Sequence, residues 1–352
     1  MKASMLARNF GDRIRELHTA GRGTAQVAEE LRAEGVEGVT RYGVREAIRI
    51  LGITPHPHGG RLKVEPLAQP EDDDIESLVR RRVEAARREL SRGDEHTRTV
   101  TLPAEPVGML VLGDPHVDNE GCDWPELVRL VEACQGVEGL YAACVGDMAD
   151  NWIGRLGRLY AKSSTTAEEG WRLSEWLLRS LRWIALVGGN HDAWAHAPGN
   201  DPLRVLSQIT GVACYAPDEI RLTLRWEDPA LEPIVWIIRH DFAGRSWYHP
   251  THGPNKEAML DGRCHILTAG HIHQWGELVT EQRHGRVTRA IRVRGLKRRD
   301  SYAREKGYSE QQHGAACLLV IDPRVDGPHR VTTWWDVPAG VAYLESVRES
   351  RS

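Results

Sequence analysis

The feature that most constrains this chain is a series of short apolar runs, each stopping at a cluster of Gly, Asp, Asn or His. Val107–Gly113 runs into Asp114-Pro115-His116, and the run at 140–145 into Gly146-Asp147. The run at 183–188 meets Gly189-Asn190-His191-Asp192, and the run at 264–269 meets Gly270-His271-Ile272-His273. Short apolar runs bounded by turn residues read as buried strands. The polar residues therefore sit where strands end, and their oxygen and nitrogen atoms are the donors that divalent cations take. One such residue alone is usually structural. An ordered set at successive strand ends points to a metal site.

Further runs at 234–239, 287–293, 316–321 and 331–335 read as strands, and 123–134, 167–182 and 201–209 as helices. Strands alternating with helices, then strands without them, predict an α/β core of two packed mixed sheets covered by helices. In such sheets ligands bind beyond the carboxyl ends of strands, where all the motifs fall. This segment is expected to span 105–343, with a tail at 344–352.

Residues two apart in extended backbone share a side. Asp114 and His116 thus project together, as do His271 and His273. Asp147 has two carboxylate oxygens to share between two cations. Asn190 offers a neutral oxygen, and His240 ends the strand at 234–239.

The order D-x-H, G-D, G-N-H-D, an isolated His and G-H-x-H resembles that of the calcineurin-like metallophosphoesterase superfamily. The resemblance covers the segment 105–343 and implies that superfamily's α/β/β/α sandwich of two mixed sheets. It implies a first metal on Asp114, His116, Asp147 and His273, and a second on Asp147, Asn190, His240 and His271. Mn2+ is the foremost expected ion, with Fe, Zn, Ni and Mg as alternatives. Two cations about 3.5–4 Å apart clamp phosphoryl oxygens, and a hydroxide shared between them attacks phosphorus in line. By the same resemblance His191 protonates the leaving oxygen, with Asp192 orienting its ring. Asn151, Arg245 and Lys256 are candidate substrate contacts, and Asp150 and Asp241 neighbour the ligands. Trp152, Trp194, Trp247 and Tyr248 occupy the same loops and are candidates to stack a base.

Residues 1–52 read as a small all-α domain. Phe10, Ile14 and Leu17 mark one helix. Val27, Ala28 and Leu31 mark a second, with Thr24 as expected N-cap. Thr40 caps a third helix with Val44, Ala47, Ile48 and Leu51 inside and Arg41, Tyr42, Arg45 and Arg49 outside. This arrangement resembles a helix-turn-helix whose third helix enters a major groove; a helical bundle docking on protein is the alternative. Residues 53–104 read as a linker, with a charged helix over 75–90. A basic tract follows at Arg283, Arg286, Arg289, Arg292, Arg294, Lys297, Arg298, Arg299, Arg304 and Lys306. It suggests a phosphate-rich polymer, although an outer strand face would show the same alternation.

The net charge of -4 excludes a polybasic binder. Six scattered cysteines without C-x-x-C spacing fit a reducing cytoplasm. No leader segment and no long apolar stretch is present, so no membrane partner is expected. The reading is a dinuclear metal-dependent phosphodiesterase, a nuclease on DNA similar to exonuclease-like proteins of phage and bacterial genomes. A phosphatase or cyclic-nucleotide phosphodiesterase would use the same site. A DNA-binding adaptor with a vestigial site is the alternative of another class, and homo-oligomer formation stays open.

Overall fold

The computed structural model describes residues 1–53, 75–91, 96–196, 200–246, 248–282, 285–298, 305, 307 and 312–351. They divide into two compact units, Met1–Arg82 and Val83–Ser352.

The first unit holds α1 (Ala3–Thr19), α2 (Thr24–Ala33) and α3 (Arg41–Ile50). Each turns an apolar stripe inward, and Leu6, Ile14, Leu17, Val27, Leu31, Val44 and Ile48 form one cluster. Helices this short are marginal alone. Burial at about 1.5–3 kcal/mol per large aliphatic side chain holds them together. The Thr40 hydroxyl accepts the Gly43 N–H at 3.0 Å, capping α3 as expected. Thr24 is instead the first helical residue of α2. Gly23 takes the N-cap, and its N–H is satisfied by the Gln26 side chain at 3.0 Å. The connection at 34–40 is longer than the roughly 3–4-residue turn of a helix-turn-helix. Arg41, Tyr42, Arg45 and Arg49 lie exposed on α3 opposite its buried face. A fourth helix, α4 (Ile75–Ser91), buries no residue; the linker residues 54–74 and 92–95 lie outside the described residues.

The second unit is a sandwich of two six-stranded mixed sheets. The first orders β12 (Val331–Trp334), β11 (Ala316–Ile321), β2 (Val107–Leu112), β3 (Leu140–Cys144), β4 (Trp183–Val187) and β5 (Tyr215–Ala216). The second orders β1 (Thr97–Leu102), β6 (Glu219–Trp226), β7 (Ile234–Arg239), β8 (Ile266–Ala269), β10 (Val287–Arg292) and β9 (Gly276–Glu281). Alternation along each strand decides which layer a side chain enters. On β2, Met109 and Val111 join Leu222, Leu224, Trp236, Ile238 and Ile291 in the core between the sheets. Leu110 and Leu112 face outward onto α5 (Trp124–Cys134) and α6 (Ala167–Ser180), together with α8 (Pro202–Thr210) and α10 (Val337–Glu349). A smaller cluster packs α9 (His252–Asp261) on β7 and β8 through Ala258, Ile237 and Leu267. The expected α/β/β/α sandwich is present.

Two expected limits shift. Strand β1 lies in the stretch read as linker, yet pairs in parallel with β6 over its whole length, so this unit begins before 105. The expected tail from 344 is the body of α10. Val337, Val341 and Leu344 recur at helical spacing and are buried in the outer cluster. No helix among the described residues is long and apolar enough to cross a membrane.

Candidate metal centre

The strands β2, β3 and β4 run parallel in one sheet, and β7, β8 and β10 run parallel in the other. Their carboxyl ends deliver all seven expected ligands to one place. From β2 come Asp114 and His116, both fully buried, and from β3 comes Asp147. The loop after β4 opens α7 (Asn190–Trp194) and brings Asn190. His240 follows β7, and His271 and His273 follow β8. Asp147 Oδ2 lies 3.2 Å from His240 Nε2 and 3.8 Å from His116 Nε2, so it sits between the two sets. His240 Nε2 is 3.0 Å from Asn190 Oδ1 and 3.1 Å from His271 Nδ1. His273 Nε2 is 3.9 Å from Asp114 Oδ2, and its ring stacks on His116 with centroids 5.4 Å apart.

The backbone is bent to achieve this. Among the described residues, positive φ outside glycine occurs at Asp114 (22°), His116 (42°), Asp147 (53°), Asn151 (44°), His271 (71°) and His273 (51°), all of them here. Such conformations cost about 1–3 kcal/mol each and persist where the surroundings enforce them. Two glycines make room for the carboxylates. A Cβ on Gly189 would collide with Asp147, and one on Gly270 with Asp114. The His191 N–H donates to Asp147 Oδ1 at 2.9 Å and the His271 N–H to Asp114 Oδ2 at 2.6 Å, fixing both carboxylates.

The residues fit divalent cations. Asp114 Oδ1 and His116 Nε2 are buried with no hydrogen-bond partner, which is costly unless another ligand completes them. Burial pushes Asp114 up to about 6. Burial also opposes the charge on Asp147, but His240, His116 and His191 outweigh it and hold the carboxyl below the ordinary range. His240 is disfavoured as a cation by burial, yet Asp147 and Asp114 push it up to about 10. Burial lowers His271 and His273, then the neighbouring His240 and His116 respectively reinforce it. Neutral imidazoles and ionised carboxylates are the forms metals take, so His271, His273 and Asp147 stand ready, whereas His240 gives up its proton when an ion binds. Asp147, His240 and His271 bring donor atoms within 4.8 Å of one another, and so do His116, Asp150 and His191.

Asp150 has a larger part than the sequence indicated. Its Oδ1 lies 2.8 Å from His116 Nδ1, the carboxylate–histidine contact that orients a metal-binding ring. Asn119 donates to its other oxygen, and Lys297 Nζ lies 3.3 Å from Oδ1. Its own N–H is held at 2.7 Å by the buried Asp118. Burial opposes its charge, but Lys297 and His116 outweigh that and keep the carboxyl low.

The expected pairing of His191 with Asp192 is not formed. The His191 ring donates Nδ1–H to the Asp150 carbonyl. Asp192 is buried and instead accepts the Gly189 N–H at 2.8 Å and the Met148 N–H at 3.1 Å. Adjacent residues on a helix do not face each other, so Asp192 turns away from its neighbour's ring. It ties the β3 and β4 loops together, and burial, then Asp147, push it up to about 7. Burial, reinforced by His116, pushes His191 down to about 4. With its proton on Nδ1, neutral His191 has an acceptor at Nε2. The orientation of the His191 ring by Asp192 read from the sequence is therefore corrected: the Asp150 carbonyl takes that place.

Around this core, Trp152 and Trp194 flank the His191 ring with centroids 4.9 and 4.2 Å away. Lys297 Nζ lies 5.1 Å above the Trp152 ring. Asn151 has a buried, unpartnered side-chain nitrogen. Arg245 is exposed, and its charge helps lower His271. Lys256 is exposed on α9. Trp247 lies outside the described residues.

The basic tract is not a continuous surface. Arg292 and Arg294, expected at nucleic acid, are each 1% exposed. Arg292 donates to the Pro250 and Gly270 carbonyls and to Asp241, clamping the loop that carries His271. Arg294 donates to the His313 carbonyl at 3.0 Å. Both continue a buried strand into the loops of the site, where charge is used to hold backbone. Lys297 points into the site, and Arg298 pairs with Asp123 at 3.2 Å. Arg283, Arg299, Arg304 and Lys306 lie outside the described residues.

The two-sheet sandwich and the convergence of its motif residues on one edge decide the architecture. It is the two-sheet arrangement that the sequence resemblance implied. No family model and no curated protein matches the chain. Among solved structures, vacuolar protein sorting 29 from Cryptosporidium parvum is similar over 65% of this chain and 96% of its own, at 13% identity and TM-score 0.35. An uncharacterised predicted phosphoesterase from Streptococcus pneumoniae matches over 65% and 97%, at 12% identity and TM-score 0.31. The Pseudomonas putida nuclease MPE matches over 64% and 86%, at 15% identity and TM-score 0.27.

Proposed function

We propose that this protein is a dinuclear metal-dependent phosphodiesterase acting on nucleic acid, DNA foremost. The reading rests on one observation: seven donor residues from five strand ends meet on a strained backbone, with Asp114 Oδ1 and His116 Nε2 buried and unpartnered. Asp114, His116, Asp147 and His273 would hold one ion, and Asp147, Asn190, His240 and His271 the other. When bound, two divalent cations, Mn2+ foremost, supply positive charge to the phosphoryl oxygens and an activated water near neutral pH.

The chain's own residues do the rest. Asp150 fixes the His116 ring through its carboxylate and the His191 ring through its carbonyl. His191 at neutral pH presents an acceptor at Nε2, so it first takes a proton from a water molecule there and then passes that proton to a leaving oxygen. Lys297 and Arg245 place positive charge beside the site for a phosphate oxygen. Trp152 and Trp194 are half-buried there and offer ring faces to a base. Support for a polymeric substrate comes from the exposed Arg41, Arg45 and Arg49 on α3, since a face of cations suits a phosphate backbone.

A metal-replete activity panel tests this: a chromogenic phosphodiester, a phosphomonoester, cyclic nucleotides, and single- and double-stranded DNA and RNA. Cleavage of diesters and DNA that chelator abolishes and Mn2+ restores is expected. Turnover confined to the monoester would overturn the diesterase reading. Substituting Arg41, Arg45 and Arg49 together by Ala should spare the chromogenic diester while weakening duplex binding and flattening its salt dependence. Unchanged DNA affinity would assign the helices to a protein partner instead.

A further inference from the structure

A second polar cavity lies at the amino ends of the strands whose carboxyl ends carry the metal centre. It measures 260 Å³ and is bordered by Ile234 opening β7, His265 just before β8 and Val287 opening β10. Arg286, Arg289 and Arg330 line it as well. Parallel β7, β8 and β10 separate the two sites by their own length, so neither site shares a residue with the other.

Its cations are unevenly neutralised. Arg289 is spoken for, donating to Glu277 at 2.6 Å and to the Pro328 carbonyl at 2.7 Å. Arg330 is only 9% exposed, and its Nε has no hydrogen-bond partner. Its Nη2 donates to the Glu232 carbonyl; of the two carboxylates bordering the cavity, Glu232 and Asp326, the Glu232 group stands 3.8 Å from Nη1 and projects into solvent. Burial therefore dominates and lowers the Arg330 guanidinium from its ordinary value, with Glu232 and Asp326 opposing. Arg286 spends one nitrogen on the Gly262 carbonyl at 2.8 Å and pairs with no carboxylate among the described residues. His265 Nδ1 accepts the Val235 N–H at 3.1 Å, so its proton sits on Nε2 as a donor. A cavity with an unmet buried guanidinium donor, a second under-neutralised guanidinium and an imidazole N–H asks for negatively charged oxygen.

We propose that this cavity binds a small oxyanion, a phosphate or carboxylate group, with Arg330 and Arg286 as its charged donors and His265 as a neutral one. The planar guanidinium fork matches both groups, and the volume admits a small molecule rather than a polymer. The proposal is independent of the metal chemistry.

Titration calorimetry on the chelator-treated full chain, with inorganic phosphate in one arm and malonate in the other at fixed ionic strength, tests it. Saturable binding of at least one anion is expected, and the preferred arm identifies the class. Arg286→Ala should weaken it by about tenfold or more, the scale of one lost charge-assisted hydrogen bond. Arg330→Gln should do the same. Arg286 is the safer variant because it is only half-buried and its loss leaves the core intact. Asp147→Asn, at the metal centre, should leave the affinity unchanged. Absence of binding by both anions, unchanged affinity in Arg286→Ala, or loss of binding in Asp147→Asn would each overturn the assignment.

Discussion

The two ends of β7, β8 and β10 carry polar groups of opposite sign that the chain leaves incompletely satisfied. At the carboxyl ends, imidazoles from β7 and β8 meet Asp114 and Asp147 delivered by β2 and β3 of the other sheet, and a buried carboxylate oxygen has no donor. At the amino ends, Arg330 and Arg286 gather beside His265, and a buried guanidinium nitrogen has no acceptor. The backbone differs as well. Positive φ marks five of the seven expected ligands, whereas among the described residues only glycine adopts it at the amino ends. One end is thus strained where carboxylates and imidazoles converge, and the other gathers its guanidinium groups with ordinary strand geometry. The contrast teaches that strain accompanies convergence of many short side chains, while long arginines reach a common point without it.

The sharpest way to break this comparison is Asp147→Asn, which removes the one carboxylate assigned to both cations. Elemental analysis should show both ions diminished and turnover reduced to background; full occupancy would remove Asp147 from its bridging place. Next in size is His191→Ala. Metal content should stay nearly intact while turnover drops by roughly 10²–10⁴, the span of an acid–base contribution. Esters with good leaving groups should lose less, and equal losses would make His191 a stabiliser of phosphoryl charge. Asp150→Asn comes third, since altering a carboxylate that orients a ligand costs about 10–100-fold in metal affinity or activity. A metal titration showing parental affinity would leave Asp150 with only its loop contacts.

The smallest effect belongs to the opposite end. Burial, then Arg286 and Arg330, push His265 down to about 4 from its ordinary 6.5. Between those values the unfolded chain binds the extra proton and the folded one does not, so stability falls as pH drops from about 6.5 to about 4. Thermal denaturation of His265→Gln should show a flatter pH dependence across that window. A parallel slope in both proteins would exclude His265 as a contributor.

Much of the sandwich was legible because buried strands announce themselves as apolar runs, and the metal loops because their residue types are rare in that order. Other parts were hidden for definable reasons. Strand β1 is an edge strand of Thr and Arg, mostly exposed, and looks like linker. Strand β6 alternates in burial over Glu219–Trp226, so its signal was present and simply weaker than an unbroken apolar run. Helix α9 has no concentrated apolar face to betray it. Among site residues, adjacency suggested that Asp192 serves His191, but the partner is the carbonyl of Asp150, and backbone groups have no signature in a sequence. The arginines at 292 and 294 resembled a polymer-binding face because charge count alone does not report burial.

The hydrogen bond from His271 N–H to Asp114 spans 157 positions of the chain, and that from His240 to the Val145 carbonyl spans 95. Each joins one sheet to the other. No segment released early during synthesis contains a complete set of ligands, since β2, β3 and β4 supply one part and β7 and β8 the remainder. Assembly of the full ligand set is accordingly an all-or-none property of the finished sandwich. A truncated or misfolded copy would lack the assembled ligand set altogether rather than keep a loose version of it.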